Sequence, residues 1–296
     1  MSGKPQRTSI VKITAFTLEM KKELNISLLQ MQSRATHTPN IEKVRAAAFK
    51  ARGQDILVLP EYSGLLNKNA NEVKNILFAG GADPFIEECK NIAKDNKLWI
   101  HIGSTPVKTG DKLYNKSALI NSMGKVVAEY NKLHMFDIYP EGKKPILESN
   151  HYQSGKRAVL VETPWGYWGM TVCYDLRFPY LFRAYAQKGA KVLFVPSAFT
   201  LIAGDAHWEV LLRARAIETG CWIVAAAQVG LHEDGRETYG HSIIVDPWGK
   251  VVLNLGNEGE MQRNFKIDID LVETAHQKIS SFKSDLEFKL EVINMK

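Results

Sequence analysis

The stretch that decides the fold is Gly169-Met170-Thr171-Val172-Cys173-Tyr174-Asp175-Leu176-Arg177-Phe178-Pro179. Its β-branched residues, followed by a polar turn, predict a strand that ends at Cys173. Pro179 can open a helix, because the N–H that proline lacks has no partner in a first helical turn. The Cys173 thiol is therefore expected beside a helix N-terminus, where the dipole favours thiolate. The alternative is a packing role, since a cysteine in a strand is more often a small buried hydrophobic residue.

Two other predicted strands also end at a charged residue. Glu61 follows the apolar run 55–59, and Lys132 follows the predicted strand 126–130. Each taken alone is more often a solvated strand end, but strand ends of an α/β fold converge on one rim, where sites are built. Carboxylate, ammonium and thiol together supply a base, an oxyanion donor and a nucleophile. The rival arrangement is a Cys–His pair, with the candidates His134, His207 and His241.

The pattern of elements predicts one α/β domain. Strands alternate with helices and hairpins interrupt them, which indicates a mixed sheet or two packed sheets under helical layers. We expect a single domain over residues 25–296, after an N-terminal extension, 1–24, of unknown role with a short strand at 9–16. Asn40 is the predicted N-cap of a helix. The long loop 134–157 is predicted to be functional, because loops of this length inside a compact domain usually are.

Composition excludes several classes of protein. The net charge of +6 is scattered along 296 residues, so we expect no nucleic-acid partner. No apolar run is long enough to cross a bilayer, so no membrane association is expected. The three cysteines are widely spaced, without a CxxC pair or a Cys/His cluster. This pattern predicts neither a metal nor a disulfide framework, and it favours a reducing compartment, taken to be the cytoplasm.

Three motifs carry a family resemblance. Leu59-Pro60-Glu61, Tyr130-Asn131-Lys132-Leu133-His134 and the Val172–Pro179 block resemble the signature blocks of the nitrilase, or carbon–nitrogen hydrolase, superfamily, in the same order. The resemblance implies an α-β-β-α sandwich that forms a homodimer, or a higher homo-oligomer, by stacking helical faces.

The resemblance also assigns roles to residues. It implies that Cys173 is the nucleophile, Glu61 the general base, and Lys132 the oxyanion donor together with the N–H of Tyr174. Glu148 matches the second glutamate of the family. The expected reaction is hydrolysis of a carboxamide through a cysteine thioester, with release of ammonia and without a cofactor.

The segments 196–200, 204–219 and 239–242 look closest to the deaminated glutathione amidases. The substrate is then a small anionic amide, and the expected substrate-binding residues are Tyr174, Arg177, Phe199 and His207. Further positive charge is expected from Lys143, Lys144 and Lys156, whereas Tyr180 stands where these amidases usually carry a glutamate. The alternatives are an ω-amidase acting on 2-oxoglutaramate, a nitrilase or other aliphatic amidase, and a catalytically idle interaction scaffold.

Overall fold

The computed structural model describes residues 20–77, 83–139, 142 and 144–294. Within these ranges two six-stranded sheets form the centre of the molecule. The first contains β1 (Glu23–Gln30), β2 (Ile56–Val58), β3 (Trp99–Thr109), β4 (Lys112–Ile120), β5 (Val126–Asn131) and β16 (Met261–Asp268), in the order β16-β1-β2-β3-β4-β5. The second contains β8 (Val159–Thr163), β9 (Gly166–Met170), β10 (Ala190–Phe194), β11 (Trp222–Ala225), β14 (Ile243–Val245) and β15 (Val251–Asn254), in the order β15-β14-β11-β10-β9-β8.

The two sheets pack face to face through aromatic rings. The His101 ring in β3 stacks on Phe194 of β10 with 4.5 Å between centroids, and Trp99 meets Trp168 of β9 edge to face at 5.8 Å. The central strand β2 of the first sheet is buried on both faces. Ile56 of β2 belongs to the core between the sheets, whereas its neighbour Leu57 belongs to a second core on the outer face. Such strands appear in the sequence as continuous apolar runs.

Helices cover both outer faces. The helices are α1 (His37–Lys50), α2 (Ala70–Ile76), α3 (Pro84–Asn96), α4 (Pro179–Gln187), α5 (Leu201–Thr219) and α6 (Asp270–Lys278). Helices α1 and α3 share their core with the first sheet, and α4 and α5 share theirs with the second. The architecture is the α-β-β-α sandwich that the sequence predicts. No helix in the described ranges is both long and apolar enough to cross a membrane.

Two local predictions need correction. Helix α1 begins at His37, so Asn40 is not its N-cap. The Asn40 amide is instead fully buried, where it accepts from the Arg34 N–H at 2.8 Å and donates to the Gly64 carbonyl at 2.9 Å. The predicted loop 134–157 holds a small ladder, β6 (Asp137–Ile138) with β7 (Ile146–Leu147), and a 3₁₀ turn over Glu148–Asn150.

The end of the N-terminal extension is attached to the domain. Strand β1 begins at Glu23, and the Lys21 N–H donates to the Pro164 carbonyl at 2.8 Å. The Lys21 ammonium lies 4.7 Å from the centre of the Trp165 ring. The strand predicted at 9–16 lies outside the described residues.

Candidate active site

Cys173 lies at a sharp turn between the two halves of its motif. Strand β9 ends at Met170, and a 3₁₀ turn, Cys173–Arg177, begins at the cysteine itself. The backbone of Cys173 has a φ of +51°, in the left-handed region that costs a residue other than glycine about 1–3 kcal/mol. Its N–H donates to the Pro196 carbonyl at 2.9 Å, which helps to hold this conformation.

A buried carboxylate, Asp175, ties this turn to the loop after β5. One oxygen accepts from the Val172 N–H at 2.8 Å and from the Tyr130 hydroxyl at 2.7 Å. The other accepts from the His134 N–H at 3.0 Å and lies 2.6 Å from the His134 Nδ1 atom. Because Lys132 lies between Tyr130 and His134 in the chain, Asp175 fixes the lysine strand end relative to the cysteine turn.

The strand end that carries Glu61 approaches the cysteine turn closely. A Cβ added to Gly103 in β3 would lie 2.1 Å from the Leu59 carbonyl and 2.4 Å from Pro196. Only glycine fits at this position, because a side chain would separate the segment that leads to Glu61 from Pro196. The Pro196 carbonyl is the acceptor of the Cys173 N–H. The close contact at Gly103 therefore helps to bring Glu61 and Cys173 together.

Lys132 is buried between two carboxylates. Its ammonium donates to Glu61 at 3.0 Å and to Glu148 at 2.8 Å. Asn115 donates to both carboxylates, at 2.9 Å to Glu61 and at 3.2 Å to Glu148. The Glu148 carboxylate also accepts from the Tyr62 hydroxyl at 2.9 Å, so the polar atoms of this centre are tied into one network.

The hydrogen-bond network stabilises the ionised forms of Lys132 and Glu148. Burial alone would lower the pKa of Lys132, but Glu148 and Glu61 outweigh it and hold the pKa well above its usual value. Burial alone would raise the pKa of Glu148, but the adjacent Lys132 ammonium and its hydrogen bond lower it. At neutral pH the centre therefore contains an ammonium ion beside an ionised Glu148 carboxylate.

Cys173 differs from its predicted state. Burial, and then the negative charge of Glu61, raise the pKa of the Cys173 thiol well above its usual value, against the lowering effect of Lys132. The sequence predicts that a helix N-terminus favours the thiolate. In the structure the loss of solvent and the Glu61 carboxylate outweigh the Lys132 ammonium, so the resting group is a thiol hydrogen-bonded to Glu61.

The three histidines of the rival Cys–His arrangement have other partners. The His134 ring stacks on Phe178 and contacts Asp175, and His241 contacts the Tyr239 carbonyl at 2.9 Å. His207 lies 3.2 Å from the Arg177 guanidinium. Within the described ranges none of these three histidines hydrogen-bonds to Cys173, so the neighbouring base is Glu61.

A cavity of about 360 Å³ opens over this centre. Cys173, Glu61, Lys132 and Glu148 all line it. Of the predicted substrate-binding residues, Tyr174, Arg177 and Phe199 line its wall, whereas His207 lies outside the lining and contacts Arg177. The Arg177 guanidinium lies over the rings of Tyr174 and Phe199, 5.6 and 5.7 Å from their centres.

The other predicted basic residues are not in this wall. Lys143 falls outside the described residues. Lys144 is exposed and is absent from the cavity lining within the described ranges, and Lys156 lines a separate, smaller groove beside Glu129. Tyr180, which stands where a glutamate is expected, is exposed and contacts the His134 ring nitrogen through its hydroxyl.

The sequence offers weak signals for the residues that it missed. Asn115 is a polar residue in the middle of β4, where its side chain is fully buried. Arg236, in the cavity wall, lies in the turn between β12 (Val229–Leu231) and β13 (Glu237–Tyr239). The dipeptide Asp234-Gly235 is a hairpin signal that predicts this turn, but nothing in it shows that the hairpin reaches the site. Among the described residues, no group of three or more His, Cys, Asp or Glu side chains could hold a metal ion.

The fold is that of a carbon–nitrogen hydrolase. A family model described as carbon-nitrogen hydrolase matches residues 25–277, and the chain belongs to that family. A deaminated glutathione amidase from Yersinia enterocolitica is 40% identical, over 78% of this chain and 82% of the relative. The deaminated glutathione amidase of Homo sapiens is 41% identical, over 82% and 75% respectively. The crystal structure of the C. elegans NitFhit protein superposes with a TM-score of 0.84 at 35% identity, covering 90% of this chain and 66% of that one.

Proposed function

We propose that this carbon–nitrogen hydrolase is an amidase that cleaves deaminated glutathione through a thioester on Cys173. The observation that carries the proposal is the convergence of Cys173, Glu61 and Lys132 on one cavity. Its lining also includes Arg177 and Lys68, two cations that have no carboxylate partner among the described residues. The names of the two relatives at 40% and 41% identity support the substrate.

In the proposed acylation step, Glu61 accepts the thiol proton while the Cys173 sulfur attacks the amide carbon. The Lys132 ammonium and the Tyr174 N–H stabilise the oxyanion of the tetrahedral intermediate. Tyr174 is suited to this role because it lies in the first turn of the 3₁₀ segment, where N–H groups have no partner within the helix. The C–N bond then breaks, and the departing nitrogen takes the proton from Glu61.

The leaving group depends on the amide. The sequence analysis expects ammonia, which is the leaving group only from an unsubstituted carboxamide such as 2-oxoglutaramate. In deaminated glutathione the amide nitrogen carries cysteinylglycine, so the leaving group is the amine of that dipeptide. Both substrates place the same 2-oxoglutaryl group on the Cys173 sulfur.

In the proposed deacylation step, Glu61 takes a proton from water and the hydroxide attacks the thioester carbon. The C–S bond breaks, and the sulfur recovers its proton from Glu61. Glu148 is assigned a positioning role, because it accepts from the Lys132 ammonium at 2.8 Å. It is itself held by hydrogen bonds at 2.7 Å from the Phe136 N–H and at 2.9 Å from the Tyr62 hydroxyl.

The test is kcat/KM for deaminated glutathione, 2-oxoglutaramate, a neutral aliphatic amide and its nitrile. We expect deaminated glutathione to be preferred, with 2-oxoglutarate and cysteinylglycine as products. A preference for 2-oxoglutaramate would assign an ω-amidase with the same catalytic residues. Preference for the neutral amide or the nitrile would contradict an anionic substrate, and absence of turnover with all four would favour an idle scaffold.

The proposal includes a homodimer in the cytoplasm. Helix α5 exposes Ile202, Val210 and Ile217 along its outer side, with 82%, 68% and 55% of their surfaces accessible. An apolar stripe of this kind is typical of a helix that packs against another chain. Sedimentation of the Val210→Glu and Ile217→Glu variants, with the exposed Phe49→Glu as control, tests the dimer. The three free cysteines fit a reducing compartment, which cell fractionation would test.

A further inference from the structure

The cavity wall contains a second arginine, Arg236, which lies over a different aromatic ring from those that Arg177 contacts. The guanidinium of Arg236 lies 5.5 Å from the centre of the Tyr62 ring. Tyr62 follows the base Glu61 in the chain, and its hydroxyl donates to Glu148. Arg177 instead lies over Tyr174 and Phe199, on the side of the nucleophile turn. The two arginines therefore lie against different parts of the cavity wall.

Arg236 has hydrogen-bonding capacity to spare. Asp234 accepts from its Nε atom and pairs with its Nη2 atom, both at 2.7 Å. Within the described ranges this leaves the Nη1 atom without a hydrogen-bond partner, in a residue that lines the cavity. Asp234 holds the guanidinium in place from outside the lining. A guanidinium fixed in this way presents a planar set of donors that matches a carboxylate.

Lys68 adds a second positive charge on the same side. Its side chain lines the cavity, and its ammonium lies beside Gly235, the residue next to Arg236. Gly235 has a φ of +79°, which allows the tight turn that brings Arg236 to the wall. An anion held by Arg236 would therefore also be attracted by Lys68.

The position of the leaving group determines which part of the substrate contacts Arg236. In the proposed mechanism the departing nitrogen takes its proton from Glu61, so the leaving group lies on the side of Glu61 and Tyr62. Deaminated glutathione carries one carboxylate on its acyl part and one at the end of its leaving amine. We infer that Arg236, assisted by Lys68, binds the carboxylate of the leaving amine, and that Arg177 binds the carboxylate of the acyl part.

This inference rests on the proposed function, and two substrates separate it from that function. 2-Oxoglutaramate has the same acyl group as deaminated glutathione but loses ammonia, so it has nothing for Arg236 to bind. A charge-assisted hydrogen bond to a substrate carboxylate changes kcat/KM by about 10- to 100-fold. The Arg236→Gln variant should lose that factor with deaminated glutathione, mainly through KM, and stay within about twofold with 2-oxoglutaramate.

The matched variants are Arg177→Gln, which should lower kcat/KM for both substrates, and Arg157→Gln, an exposed arginine outside the active-site cavity, which should lower neither. The ratio of the two kcat/KM values is taken within each variant, so a smaller folded fraction lowers both values and leaves the ratio unchanged. Arg236→Lys, which keeps the charge and loses the planar donors, should give an intermediate ratio.

The outcomes are distinct. A ratio that falls about 10- to 100-fold in Arg236→Gln alone supports the inference. If the wild type cleaves deaminated glutathione and Arg236→Gln leaves the ratio unchanged, the inference is wrong and the proposed function stands. If the wild type cleaves 2-oxoglutaramate but not deaminated glutathione, both are wrong.

Discussion

Charge is arranged differently in the buried centre, which consists of Glu61, Lys132 and Glu148, and in the cations Arg177 and Lys68 of the cavity wall, here called the cavity mouth. In the centre, Lys132 is 1% exposed and is satisfied on both sides by the carboxylates of Glu61 and Glu148. At the mouth, Arg177 contacts aromatic rings and a histidine and has no carboxylate partner among the described residues. The Lys132 ammonium is thus paired without a substrate, whereas the Arg177 guanidinium still has donors to offer.

This difference separates chemistry from selectivity. A buried ion network that is fully paired keeps its geometry in the absence of ligand, which is what acid–base and oxyanion roles require. Cations without internal partners gain partners when an anionic substrate binds. Changes in the centre should therefore act on kcat and on stability, and changes at the mouth on KM and on the choice of substrate.

The largest expected effect comes from removing the cation of the centre. Lys132→Met should lower kcat by about 100- to 1000-fold, as loss of an oxyanion donor typically does. It should also destabilise the fold by about 3–5 kcal/mol, because two carboxylates stay buried without their counter-ion. Steady-state kinetics and urea unfolding measure the two effects.

A matched double variant separates these effects. Lys132→Met with Glu148→Gln has the same net charge in the centre as the wild type, so much of the stability should return while kcat stays low. Recovery of kcat together with stability would show that Lys132 acts only on folding, and would remove the oxyanion role.

A smaller effect is expected from pH. The pKa of Glu148 is lowered in the folded protein from its reference of 4.5, so its pairing contributes stability above that reference pH. The contribution is lost as pH falls through the lower folded value. The difference in free energy of unfolding between wild type and Glu148→Gln, about 1–3 kcal/mol at pH 7, should therefore shrink in acid below that reference pH. A difference that stays constant down to strong acid would contradict the ionised state of Glu148.

The smallest expected effect is that of salt, and it should be confined to the mouth. Raising ionic strength should lower kcat/KM for deaminated glutathione a few-fold, because it screens the half-buried Arg177 and the exposed Lys68. The value of kcat should hardly change, since the centre is buried. A neutral amide serves as the control, and equal salt sensitivity of both substrates would contradict electrostatic capture.

The residues of the site also differ in how far their roles could be predicted from the sequence. Glu61, Lys132 and Cys173 follow apolar strands directly, so short motifs place them at strand ends without knowledge of the tertiary structure. Asn115 is different, because its role comes from the two carboxylates that other segments bring to it. Arg236 depends on where a hairpin folds relative to Tyr62, and local sequence does not encode that position.

The elements after Leu255 were not predicted, for a physical reason. Strand β16 is an edge strand with mostly exposed or half-buried residues, so it lacks the regular apolar alternation that marks a strand. The prediction that Cys173 is a thiolate is wrong for a related reason. The helix dipole is visible in the sequence, but the burial of Cys173 and its contact with Glu61 exist only in the folded chain.

The most direct test of the central claim is to trap the acyl-enzyme. Wild-type protein mixed with deaminated glutathione, quenched in acid within one turnover and digested, should give a peptide in which Cys173 carries a 2-oxoglutaryl group. The same adduct should form from 2-oxoglutaramate, and Cys173→Ala should show neither adduct nor turnover while Cys89→Ala keeps both. Product formation without an adduct on Cys173, or an adduct on Cys89 or Cys221 with Cys173 unmodified, would contradict the account.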